Sequence, residues 1–272
     1  MRQKIKIYAP FAINELKRQM SYKGAFYLFL FISLFGSFIS YYLWMAIYGS
    51  AGTDTLAGMT KNEMIVYIFM VYVASSVVTV TIADWVSEDV VKGMVAMNLI
   101  KPIDYRCSLI VRAMGTMVHR FLFPGIIIWI GLEVYKAVVL KIGVTSLGNI
   151  LFFSISCLMS FLIYVLFDFC FGMIAFFTTY IFGMLLAKEA LLSFLTGQLI
   201  PLAFFPEIVQ RLFGFLPFSS MIYTPVMIYL GKYTGENLFL ALGKQLFWIV
   251  FLYVLGGIIW KKVTKRLVVL GG

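Results

Sequence analysis

The chain is poor in the residues from which most active sites are built. Its 272 residues hold one histidine, His119, and three cysteines, Cys107, Cys157 and Cys170. The cysteines show no CxxC or metal-ligand spacing, so neither a disulfide frame nor a zinc site is expected. A lone histidine cannot build an imidazole metal site. No Ser/His/Asp, Cys/His or paired-carboxylate constellation points to catalysis. No GxxxxGK[ST] phosphate loop is present, so any ATP-driven motor must be another polypeptide. Charge is scarce too: 12% of residues are charged, against 62% hydrophobic and 18% aromatic. Mean hydropathy is +0.97. A soluble domain cannot hide that much apolar surface, and the solvent is read as lipid.

Acidic residues are the scarcer sign, 12 against 22 Lys and Arg, for a net charge of +10. This excess does not indicate nucleic acid. The basic residues gather at the termini and around residues 92–120, flanking apolar runs, with no stripe of basic and stacking aromatic residues outside them. No cleavable signal peptide is expected, because residues 1–24 are basic and only patchily apolar. Within them Ile5, Tyr8, Ala12 and Leu16 recur at helical spacing, while Lys4, Lys17, Arg18 and Lys23 mark a polar side. That pattern predicts an interfacial amphipathic helix.

The fold class expected from the remaining runs is an all-α membrane protein of six spans. Residues 25–48 and 64–83 carry no charge and form spans one and two. Span three is placed at about 113–137, with Arg112 and Arg120 snorkelling at one end and Pro124 kinking it. Residues 148–177 read as one long span four, since no turn signal flanks Asp168. A short link over 183–189 then leads to span five, about 190–204, and residues 239–260 form span six. A transmembrane domain over 25–260 is closed by a basic tail, 261–272. Under this layout sixteen of the 22 Lys and Arg lie on one side. The positive-inside rule then puts both termini in the cytoplasm.

Two segments and one residue stand out. The loop at about 84–112 carries Asp84, Glu88 and Asp89 where a helix would start, and Val86, Val90, Met94 and Met97 form one apolar stripe. Lys101–Pro102 ends the helix. It reads either as a connector or as a helix-in-groove contact for a cytosolic subunit. Four of the seven prolines fall between Pro201 and Pro225. Backbone broken this often must be covered by protein, line a wet cavity or lie at the interface, and charge counting puts it opposite the 84–112 loop. Asp168 is the one carboxylate deep in a span. It is either a pathway contact or a structurally paired group.

The tracts LIKPIDYR, GQLIPLAFFP and LPFSSMIYTPVMIYLGK, in that order, resemble the ABC-2 type permeases, and specifically a six-span export subfamily. The matching positions are Leu99, Lys101, Pro102, Asp104 and Tyr105; Gly197, Pro201, Leu202, Phe205 and Pro206; and Leu216, Pro217 and Phe218. The resemblance implies a coupling helix over 88–97 that docks on a nucleotide-binding subunit, with Glu88, Asp89, Val90, Met94, Met97, Lys101, Pro102 and Asp104 in or beside it. It implies re-entrant helices over about 204–225 as an outer gate, with Gly197, Pro201, Pro206, Pro217, Phe218 and Asp168 along the pathway. It also implies two ABC ATPase subunits that bind ATP and Mg, a second permease chain (the same or a sister protein), and a bacterial plasma membrane. No cofactor is expected on this chain. The competing reading is a self-contained secondary transporter or channel, which would carry paired broken helices in two halves.

Overall fold

A computed structural model describes residues 2–178 and 181–265. The chain is almost wholly helical. Helix α1 (Arg2–Ser21) leads into α2 (Lys23–Ala51), which stops where Gly52 takes a left-handed conformation. A two-residue hairpin, β1 (Thr55–Leu56) with β2 (Met59–Thr60), follows. Thr60 then opens α3 (Lys61–Val78) with a reciprocal capping box to Glu63. These side chains satisfy amide groups that have no partner within the helix.

Helix α3 gives way to α4 (Ile82–Val91) across a short break at Thr79–Thr81. Six successive β-branched residues, Val77 to Ile82 with Val78, Thr79, Val80 and Thr81 between, crowd the backbone here and favour extended geometry. Gly93, at φ +68°, then separates α4 from α5 (Met94–Ile100). The single coupling helix expected over 88–97 is therefore two, and the apolar stripe is bent at Lys92–Gly93. Lys101 is extended ahead of Pro102, as expected. Asp104 accepts a hydrogen bond from the Cys107 amide at 2.9 Å and caps α6 (Tyr105–Arg120).

The third long helix starts at Tyr105, earlier than expected, and runs continuously to Leu140. Helix α6 passes through a π turn at Phe121–Gly125 into α7 (Ile126–Tyr135), and a second π turn ends it at Leu140. Pro124 lies in the first π turn. It lacks an N–H and its ring crowds the preceding turn, which a wider turn relieves. Helix α8 (Leu147–Gly172) is the uninterrupted fourth helix that the sequence predicts, with a 3-10 turn at Met173–Phe176.

Span five is displaced. The helix here is α9 (Phe182–Leu195), and half of it lies on the stretch expected to be a link. Nothing at 184–190 breaks a helix, whereas Gly197 and Pro201 do. At 14 residues α9 is about 21 Å long, short of the ~30 Å hydrocarbon core. Among the described residues, five helical stretches are long and apolar enough to cross a membrane: 30–51, 61–91, 105–140, 147–176 and 235–264. The chain between Leu195 and Gly235 is a series of short pieces, a 3-10 turn at Leu202–Phe204, α10 (Glu207–Phe215), a second 3-10 turn at Phe218–Ser220 and α11 (Tyr223–Tyr229). Helix α12 (Gly235–Thr264) is the last among the described residues. Residues 266–272 of the expected tail lie outside the described residues, as do the side chains of Lys4, Ile5 and Lys23.

The core is built on α3 and α8, which are wrapped by α4, α6, α7, α11 and α12. Lipid offers no hydrophobic drive for helices to associate, so close approach and polar contacts hold them. Helix α1 lies along α6 where Gly115 lets the backbones touch. A Cβ at Gly115 would sit 2.4 Å from the Ala12 carbonyl oxygen. Helix α2, by contrast, leaves most of its length uncovered, with Phe31, Phe35, Phe38 and Tyr42 exposed.

Candidate partner surface and transport path

The ends of the helices gather two distinct sets of residues. At one end lie α1, α4, α5, the start of α6 and the end of α12, joined by a stack of Tyr105 on Trp260 at 5.0 Å and by Arg106 donating to the Tyr253 carbonyl at 2.9 Å. At the other end lie the start of α3, the end of the third helix, and the broken segment from Thr196 to Leu230.

In the first set, the residues singled out from sequence divide by role. Asp89 accepts hydrogen bonds from the Tyr105 hydroxyl at 2.7 Å and the Asn98 amide at 3.2 Å. The Asp104 amide donates to Tyr8 of α1 at 2.9 Å, and its carboxylate caps α6. Lys101 donates to Asn98 at 2.7 Å, and Glu88 pairs with Lys92 at 2.5 Å in the open. Val86 is fully buried and Val90 partly. Met94 and Met97 are exposed, and around them the bend brings out Val91, Leu99 and Ile100, which is 80% exposed. The apolar patch is thus centred on α5 and not on the stripe read from sequence.

Behind this surface, Glu15 is buried between α1 and α6. It accepts hydrogen bonds from Arg18 at 2.5 Å and from Arg112 at 3.0 Å. Burial alone would raise its carboxyl, but the two guanidinium groups outweigh that and hold it at about 2, down from 4.5. Arg112, expected to snorkel toward water, is spent on this pair and on the face of Trp85, 4.0 Å away.

The break between α3 and α4 is braced from both sides. Arg120 of α6 donates to the Thr79 carbonyl at 2.7 Å. Asp168 of α8 accepts from the Ala83 amide at 2.8 Å. A helix C-terminus favours a cation and an N-terminus a carboxylate, and here each receives the matching charge. The second oxygen of Asp168 pairs with Lys188 of α9 at 2.5 Å, and both side chains are almost wholly buried. Lys188 also reaches Glu189 at 3.1 Å. Sequence reasoning gave Lys188 no role, although the Lys188–Glu189 pair inside an apolar stretch, 20 residues beyond an intramembrane aspartate, was a signal.

At the opposite end, Gly197 has φ +80°, a conformation that favours glycine. Its carbonyl accepts the Tyr67 hydroxyl at 2.6 Å, and the Thr196 carbonyl accepts the Tyr223 amide at 3.1 Å. Pro201 and Pro206 stand before the 3-10 turn and α10, and Pro217 before the second turn. Phe218 packs edge-on against Phe167 of α8 at 5.4 Å. Gln245 of α12 ties this segment down by donating to Ser160 Oγ and to the Ser220 carbonyl, both at 2.9 Å. A second polar knot joins Glu133 to Lys136 at 3.0 Å, to Thr145 and to the Tyr229 hydroxyl. Helix α10 buries none of its residues, and Ile208, Leu212 and Phe215 face outward together.

A family model described as an ABC-2 family transporter protein matches residues 31–271. The chain belongs to the ABC-2 transporter family. It is accordingly a multi-pass membrane protein and the permease component of an ABC transporter, in a family whose membrane subunits are generally non-catalytic. No curated protein matches it.

Proposed function

We propose that this ABC-2 permease is the membrane subunit of an ATP-driven exporter of hydrophobic or amphipathic molecules. Two separate ATPase subunits bind ATP and Mg, and a second permease chain completes the path. The single observation that supports this most is the exposed patch of Val91, Met94, Met97 and Ile100, at the end of the bundle that also carries the basic flanks of α1 and α12. Flexible methionines among short aliphatic groups suit a helix-in-groove contact. In this reading α5 and the end of α4 are the coupling element, with Glu88 and Lys101 on its rim. Asp89, Pro102 and Asp104 hold its shape.

Both termini then face the cytoplasm of a bacterial plasma membrane. Helix α9 and the broken segment after it make the sixth crossing, and α10 and α11 form the re-entrant gate on the far side. Gly197, Pro201, Pro206, Pro217 and Phe218 set its shape, and Asp168 fixes the helix break on the path's wall. The test is co-expression with the neighbouring genes, with any ABC ATPase among the retained proteins identified. The wild type should retain the ATPase through purification in mild detergent. Met94→Glu/Met97→Glu should lose it while keeping its elution profile and thermal stability. Retention of the ATPase by that variant would refute the assignment. Ion-gradient-driven flux in liposomes without ATP or a partner would favour a secondary transporter.

A further inference from the structure

The cavity between the proline-broken segment and α12 has no part in the docking just described. It has a volume of about 350 Å³, and among its lining residues are Ser219, Tyr233, Asn237, Leu240 and Lys244. Lys244 is the one charged group in that lining. Its ammonium donates to the Gly214 carbonyl and to Ser219 Oγ at 3.2 Å. Both acceptors are neutral, and no carboxylate among the described residues acts on it. A partly buried cation is ordinarily paired. This one carries three donors and is satisfied only by neutral oxygens, beside a cavity whose other polar groups are uncharged.

Its depth narrows the choice of ligand. Helix α12 is 30 residues long, about 45 Å at 1.5 Å per residue and so ~15 Å longer than the hydrocarbon core. Lys261 and Lys262 mark one boundary. Counting back about 20 residues from Trp260 puts the other near Leu240 and Ala241. Lys244 lies one turn inside it, within reach of the phosphate level for a long side chain. The mouth of the cavity faces the bilayer: Leu240 is 62% exposed, and Phe239 and Phe247 are exposed beside it. A ligand seated here has an anionic head against Lys244, with Tyr233 and Asn237 as further donors, and an apolar tail along the uncovered face of α12.

We infer that this cavity is a binding site for an anionic phospholipid, with its phosphate held by Lys244. The inference does not depend on ATP coupling. The experiment is native mass spectrometry of the full chain in a neutral detergent, with added dioleoylphosphatidylglycerol or dioleoylphosphatidylcholine. The wild type should retain one phosphatidylglycerol about tenfold more tightly than phosphatidylcholine, whose phosphate is already offset by its own quaternary ammonium and so is attracted less strongly by Lys244. Lys244→Gln should abolish the preference and Lys244→Arg should keep it. Leu240→Trp, at an exposed position, should weaken retention by filling the mouth. It carries the test if Lys244→Gln fails to fold. Equal retention of both lipids by the wild type, or unchanged preference in Lys244→Gln and Leu240→Trp, would overturn the site. Displacement of phosphatidylglycerol by millimolar inorganic phosphate would overturn its assignment to an amphiphile.

Discussion

Charge removal at the Asp168–Lys188 pair should give an asymmetric result. In Lys188→Met the Asp168 carboxylate, 0% exposed, keeps only the Ala83 amide as a partner. Removing one member of a buried pair costs about 3–5 kcal/mol, and this variant belongs at the upper end. Asp168→Asn is milder. The amide oxygen still accepts from Ala83, and the Lys188 ammonium still has Glu189 at 3.1 Å, which is itself 46% exposed. That places it near ~3 kcal/mol. The double variant buries no unmatched charge and should recover at least ~2 kcal/mol relative to the sum of the single changes. The assay is thermal unfolding of detergent-purified protein, followed by a thiol-reactive dye, since Cys157 is buried. At roughly 2–4 °C per kcal/mol for a chain of this size, Lys188→Met should lower the midpoint by about 10–20 °C and Asp168→Asn by about 6–12 °C. An Asp168→Asn variant as damaged as Lys188→Met, or a double variant equal to the sum, would refute the pairing argument.

Three further outcomes follow from the geometry. Gly115→Ala would bring a Cβ to 2.4 Å from the Ala12 carbonyl; overpacking of this kind costs about 1–3 kcal/mol, and α1 should become the first site of limited proteolysis. Glu15 titrates lower when folded, so its stabilisation is complete above pH 4.5 and lost as the pH falls toward about 2; Glu15→Gln should flatten the stability–pH curve across that window and leave the neutral region parallel to wild type. Tyr67→Phe leaves the buried Gly197 carbonyl without its 2.6 Å donor, a loss of about 1–3 kcal/mol, read as a lowered unfolding midpoint; an unchanged midpoint would mean that the turn at Gly197 holds without it.

The long uncharged runs were legible in the sequence, because length and hydropathy alone suffice for helices such as 147–176 and 235–264. What misled was charge. Arg112 and Arg120 look like the edge of a span, yet one pairs with Glu15, 97 residues away, and the other answers a backbone carbonyl at a helix break. Lys188 and Glu189 look like a loop for the same reason. A charge marks a membrane boundary only when water is its partner, and the partner lies outside any local window. The break at Thr79–Thr81 had a local cause in six β-branched residues, but an apolar run of that composition also fits a straight span. At the α5 surface, Met94 and Met97 stood out in the sequence. The bend at Gly93 that adds Val91 and Ile100 to them depends on a single left-handed residue.

The interrupted stretch from Lys61 to Val91 is two rods meeting at an elbow. Among the backbone groups freed at the break, the Thr79 carbonyl and the Ala83 amide are each answered by a different neighbouring helix. Hydrocarbon supplies no water to take over from either, so slackening one contact would leave a bare polar group at a cost of several kcal/mol. Such an elbow resists angular drift, because a change of angle must loosen or lengthen one of the two contacts. Any displacement of the segment 82–100 is therefore felt as torque on α6 through Arg120 and on α8 through Asp168. The bent segment is thereby tied to two other helices at its weakest point, and its angle is set by their positions.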